Sequence, residues 1–100
     1  MTTKHLDKEK ILDVLRQNKS FFKHKFDIDN IMLFGSYARD EATKDSDVDI
    51  MIESKTRSFD NKYDIKVFLE KKLNKRVEIV YIDSVHPFLM RFISKELIYA

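Results

Sequence analysis

Apolar positions follow two rhythms along the chain. Ile11, Leu12 and Leu15 recur at helical spacing, which predicts a first helix over 7–20. Phe21, Phe22 and Phe26 continue the apolar packing beyond it. Asp27 to Asn30 reads as a turn. Ile31, Met32, Leu33 and Phe34 then form an unbroken apolar run, the pattern of a strand buried on both faces. Ser36 stands at an N-cap position, which predicts a short helix from Tyr37 to Thr43. Residues 47–53, DVDIMIE, alternate in part and predict a second strand. Ile65, Phe68, Leu69 and Leu73 share one stripe of a helix predicted from Asp60 to Asn74. Residues 77–82, VEIVYI, predict a third strand. Pro87 opens a last predicted helix that runs to Ala100. The order α-β-α-β-α-β-α predicts an α/β (α+β) fold, a small mixed β-sheet with helices packed on it.

Composition narrows the class. A chain of 100 residues has room for one domain, 1–100, and a modest core. With 43% hydrophobic and 36% charged residues, it reads as globular rather than disordered. No apolar run approaches the roughly 18 residues of a membrane span. Met1 to Lys10 is polar and mixed in charge, unlike a signal peptide. The absence of cysteine excludes disulfides and thiolate metal sites. These features predict a cytoplasmic protein with no membrane segment. A net charge of +2 argues against non-specific nucleic-acid binding. Lys71, Lys72, Lys75 and Arg76 read as a solvated helix end that complements the helix dipole. His5, His24 and His86 show no ligand spacing and read as surface residues.

Glycine changes the picture. The chain has a single glycine, Gly35, where average usage of about 7% would supply several. A lone exception directly after an apolar strand points to a backbone need at that position.

The candidate chemistry lies around it. Gly35-Ser36 is followed by ten residues and then by Asp47-Val48-Asp49. Two aspartates two apart on a strand point to one face, where their charges repel unless a cation lies between them. Mg²⁺ favours carboxylates supplemented by substrate phosphates. Gly35 allows close approach of the backbone to a phosphate, and the N–H groups after it could cradle the anion. Ser36 reads both as a cap and as a hydroxyl donor to phosphate. Glu78 interrupts the apolar strand VEIVYI, where an unpaired acid would be costly if buried. Beside the aspartate strand it could face the same metals, and three carboxylates could hold two ions. Its other reading is an exposed strand position. Arg39 reads either as a phosphate contact or as a structural ion pair with Asp40 or Glu41. Asp-x-Asp alone carries no weight, since Asp27-Ile28-Asp29 repeats it; the combination of elements does.

Gly35-Ser36-Tyr37-Ala38-Arg39 with Ser46-Asp47-Val48-Asp49 resembles the motif of the DNA polymerase β-type nucleotidyltransferase superfamily, and the length resembles its minimal branch, the MNT proteins. The resemblance covers Ile31 to Ile82 and is compatible with the flanking helices. It implies a mixed sheet carrying acids on one face, with Gly35 and Ser36 on the triphosphate and Mg²⁺ on Asp47 and Asp49. It further implies ATP as substrate and a HEPN-family protein from a neighbouring gene as partner. In that pairing AMP passes from ATP to a tyrosine of a HEPN ribonuclease toxin, and the enzyme serves as antitoxin. Two departures are Asp40, where the family often has glycine, and Glu78, where aspartate is common. They keep open the alternative of an inactive binding module that neutralises its partner by contact alone. A third reading, a modifier of small molecules, lacks room for an acceptor-binding domain. Phe88, Leu89, Met90, Phe92, Ile93, Leu97, Ile98 and Tyr99 exceed one buried helix stripe. They read equally as intramolecular or homo-oligomer packing and as a surface for the HEPN partner.

Overall fold

The computed structural model describes residues 6–100; His5 and the polar stretch from Met1 lie outside the described residues. Helix α1 spans Lys8–Gln17, and the Asp7 carboxylate caps it by accepting from the Lys10 N–H at 2.9 Å. The single helix expected over 7–20 breaks at Asn18, whose side chain donates to the Val14 carbonyl at 2.8 Å. An asparagine side chain competes for backbone partners in this way and favours a helix boundary. Helix α2, Lys19–Phe26, continues from there, so Phe22 and Phe26 lie on a helix of their own.

Strand β1 spans Ile28–Phe34, which makes it longer than the apolar run and absorbs most of the expected turn at Asp27–Asn30. Strand β2 is Val48–Ser54, helix α3 is Phe59–Leu73 and strand β3 is Val77–Tyr81. Ser58 caps α3 by accepting from the Asn61 N–H at 3.2 Å. A short 3-10 turn, Ile82–Ser84, precedes helix α4, Pro87–Ile93. The helix expected to reach Ala100 therefore stops at Ile93. The chain turns and returns as strand β4, Ile98–Tyr99. Ile98 and Tyr99 pair with Leu33 and Met32 of β1; a β-branched and an aromatic residue suit a pleated edge better than a helix end.

The sheet order is β3-β2-β1-β4. β1 is antiparallel to both β2 and β4, while β2 and β3 run parallel. The parallel pair is joined through α3, as a parallel connection requires. The expected mixed sheet is therefore present. Alternation along each strand gives the sheet two faces. On one, Ile31 and Leu33, Val48, Ile50 and Ile52, and Val77 and Ile79 pack with Ile11, Leu15, Phe22, Ile65 and Leu69 from the three long helices. The other face carries the polar residues and two methionines, Met32 and Met51, both fully buried.

Candidate active site

The register places the acids. Phe34 of β1 pairs with Asp49 of β2, and Asp49 pairs with Glu78 of β3. Directly paired residues share a face, so Asp49 and Glu78 lie side by side on the face away from the three helices. Asp47 precedes β2 by one residue, and Val48 donates to the Arg76 carbonyl at 2.9 Å. The Asp47 carboxylate lies 3.3 Å from the exposed Arg76 guanidinium. Of the expected trio, the fold thus brings Asp49 and Glu78 into register, with Asp47 at the strand's mouth.

Burial raises the Asp49 carboxyl above the usual carboxylate range, and the charges of Asp47, Glu78 and Glu96 raise it further, against a lowering by Arg39. A carboxylate that is desolvated and crowded by like charges is a place where a cation would be stabilised. Among the described residues, no three carboxylate or imidazole side chains form a metal-holding group by themselves. That donor set fits Mg²⁺ rather than a protein-caged ion, because Mg²⁺ takes one or two carboxylates and completes its shell with phosphates and water.

Gly35 follows β1 immediately, with φ of +80°. A Cβ at this position would meet Asp49 Oδ2 at 2.1 Å and Asp49 Cγ at 2.9 Å. Three other described residues with positive φ, Asp27, Asp40 and Asn74, carry the side chains that best tolerate the left-handed region. Gly35 alone adds a steric need to the conformational one, and the group it makes room for is the candidate metal ligand.

Residues 36–41 form nested turns rather than the expected short helix. Arg39 N–H donates to the Gly35 carbonyl at 3.1 Å, Asp40 N–H to Tyr37 at 3.3 Å and Glu41 N–H to Ser36 at 2.8 Å. Asp40 at φ of +59° stops any helix, so Ser36 caps none. Asp40 adopts a left-handed conformation that glycine also takes readily, and its carboxylate pairs with Lys8 at 3.0 Å. Among the described residues, the Ser36 hydroxyl has no hydrogen-bond partner. Tyr37 and Ala38 are buried and anchor the loop to the core.

Arg39 stands in ion pairs. Its Nε donates to Glu41 at 2.9 Å, and its Nη1 donates to both carboxylate oxygens of Glu96 at 3.0 Å. The expected Glu41 partner is present, whereas Asp40 is taken by Lys8. Glu96 also accepts from the Gly35 N–H. Sequence reasoning missed Glu96, since it fell within a stretch read as continuous helix and no spacing ties it to the motif.

Comparison with known proteins follows the same line. The family model described as nucleotidyltransferase domain matches residues 15–100. A chain from Methanocaldococcus jannaschii, provisionally named protein adenylyltransferase MJ1379, is 39% identical, the alignment covering 89% of this chain and 93% of that one. The protein adenylyltransferase MntA of Thermococcus cleftensis is 32% identical, covering 91% and 93%. A solved structure provisionally described as a minimal nucleotidyltransferase superposes with a TM-score of 0.78 at 30% identity, covering 96% of this chain and 98% of that one. The complex of a tri-AMPylated Shewanella oneidensis HEPN toxin with MNT antitoxin matches at a TM-score of 0.59 and 22% identity, covering 92% and 66%. No helix among the described residues is long and apolar enough to cross a membrane.

Proposed function

The chain belongs to the nucleotidyltransferase domain family, as a minimal member related to MntA protein adenylyltransferases and to MNT antitoxins, and from that premise we propose that it transfers AMP from ATP to a tyrosine hydroxyl of a HEPN-family ribonuclease toxin. It acts thereby as an antitoxin in the cytoplasm. The observation that carries this reading is the in-register pair of Asp49 and Glu78, with the Asp49 carboxylate set against Gly35 where a Cβ would collide with it.

In this reading the Gly35 N–H, the Ser36 hydroxyl and the Arg39 guanidinium donate to the triphosphate oxygens. Asp47, Asp49 and Glu78 would hold Mg²⁺ between them, one or two carboxylates to an ion with phosphate and water completing the shell, and the metal would supply charge neutralisation of the phosphates and activation of the acceptor hydroxyl. Glu78 accepts the proton of the tyrosine hydroxyl as its oxygen attacks the α-phosphorus. A new O–P bond forms, the bond from the α-phosphorus to the bridging oxygen breaks, and pyrophosphate leaves. Catalysis is by positioning and electrostatic complementarity.

A contact-only antitoxin is the second reading. What favours it is the engagement of Arg39 and the Gly35 N–H by protein carboxylates. Incubation with α-labelled ATP, Mg²⁺ and the HEPN-family protein from the neighbouring gene separates the two. The proposal expects label on the partner, lost with Asp47→Asn or Asp49→Asn. Neutralisation of the toxin without any label, or label undiminished in a double Asp47/Asp49 variant, would refute it.

A further inference from the structure

Glu96 touches the Gly35–Arg39 loop beside the acid face of the sheet, and the proposed reaction does not use it. It lies between α4 and β4, where its N–H donates to the Ile93 carbonyl at 2.9 Å. Its side chain is 20% exposed, well covered for a surface glutamate. One carboxylate oxygen accepts from the Gly35 N–H, and both accept from Arg39 Nη1. A carboxylate that takes a backbone N–H and a guanidinium together satisfies the donors that would receive a phosphate oxygen. It also sits close enough to add to the negative field on Asp49.

We infer that Glu96 is a built-in phosphate mimic: it holds the anion position of the Gly35–Arg39 loop when nucleotide is absent, and the triphosphate must displace it. This inference rests on the reading of Gly35 and Arg39 as phosphate donors. The segment that carries Glu96 is suited to yield. β4 is only two residues long, and it attaches to the sheet through the pairs Met32–Tyr99 and Leu33–Ile98. Ala100 adds one further bond, its N–H donating to the Ile31 carbonyl at 3.0 Å. Two consequences follow. The Glu96 contact holds the loop in one conformation and occupies its donors at the same time. Apparent nucleotide affinity is reduced by the fraction of molecules in which Glu96 is docked.

The opposite role, a clamp that orients Arg39 for nucleotide, predicts the opposite sign, which makes the test decisive. Mg²⁺–ATP and inorganic tripolyphosphate are titrated by calorimetry into the full chain, as wild type, Glu96→Ala and Glu96→Gln. The inference expects both ligands to bind the Ala variant about tenfold more tightly, as loss of a docked charged competitor implies. The Gln variant, which keeps the side-chain shape and guards against a folding defect, lies between. The chain's single glycine gives a second readout by amide NMR. The Gly35 N–H signal shifts upfield when Glu96 is replaced, and tripolyphosphate moves it in wild type. Affinity unchanged or weakened in both variants, with wild type still binding, overturns the inference and leaves the proposed function standing. If neither wild type nor variant takes up either ligand, the reading of the loop as a phosphate site fails, and the inference fails with it.

Discussion

Strand β2 serves two faces that obey different demands. Val48, Ile50 and Ile52 point into the helix-covered core and are fully buried. Asp49, between them, points the other way, half-buried and held against its charge by its own surroundings. On the core face every neighbour lowers the free energy of folding by removing apolar surface from water. On the acid face burial and like charges raise it. Stability has been given up on the acid face: a fold that needed only to be stable would not align Asp49 with Glu78 and add Asp47 and Glu96 nearby. Raised electrostatic energy concentrated at one spot is what a site for a cation and a polyanion requires.

The largest effect is expected at Asp49→Asn. Transfer of AMP should fall on the order of 10²–10³-fold, because charge stabilisation at the reacting phosphate is lost. Thermal stability should rise. The sign follows from linkage. Burial and like charges raise the Asp49 carboxyl above 3.8 in the folded protein, so the folded state binds the proton more tightly than the unfolded one. Stability therefore declines as pH climbs through the interval between the unfolded and folded values, and the whole cost is present above the folded value. Asparagine removes that cost. A melting curve at neutral pH checks it, and a lower melting temperature in the variant would contradict this account of Asp49. The same shift predicts that, without Mg²⁺, the gain in melting temperature from Asp49→Asn shrinks as pH is lowered.

On the opposite face, Leu69→Ala should cost about 2–5 kcal/mol by leaving a cavity among fully buried side chains. Activity per folded molecule should be retained, as urea unfolding combined with the transfer assay would reveal. Gly35→Ala tests the junction of the two faces. The strained backbone and the collision with Asp49 should together cost about 1–3 kcal/mol, and activity should fall even where the protein remains folded. The smallest effect is expected at Asp40→Gly. Relief of the left-handed aspartate is set against greater freedom of the unfolded chain and loss of the exposed Lys8 pair, so stability should change by less than about 1 kcal/mol. Unchanged transfer in this variant would show that the loop needs the conformation of residue 40 and not its side chain.

What could be read from the sequence was local. The strand runs, the Asp47–Asp49 spacing, the acid inside VEIVYI and the solitary glycine each sit within a few residues of what defines them. The meeting of Glu78 with Asp49 stayed conditional on their strands being neighbours, and the parallel pairing of β2 with β3 across α3 meets that condition. Features that depend on distant partners were not legible. Ile98 and Tyr99 look like part of a helix until β1 offers an edge to pair with. Glu96 looks like a surface charge until the turn before β4 carries it to Gly35 and Arg39. The helix break at Asn18 and the turns after Gly35 depended on side-chain capping and a left-handed aspartate, which periodicity does not register. The need for glycine at position 35 was visible in composition. Its cause, a carboxylate fourteen residues further on, was not.

The decisive measurement is the rate of labelled AMP transfer to the proposed HEPN-family partner by Asp49→Asn, taken per folded molecule with wild type and Leu69→Ala alongside. Background transfer is expected from the aspartate variant although it is the most heat-stable of the three, and near-normal transfer from the leucine variant although it is the least. A rate within a few-fold of wild type for Asp49→Asn would contradict this expectation.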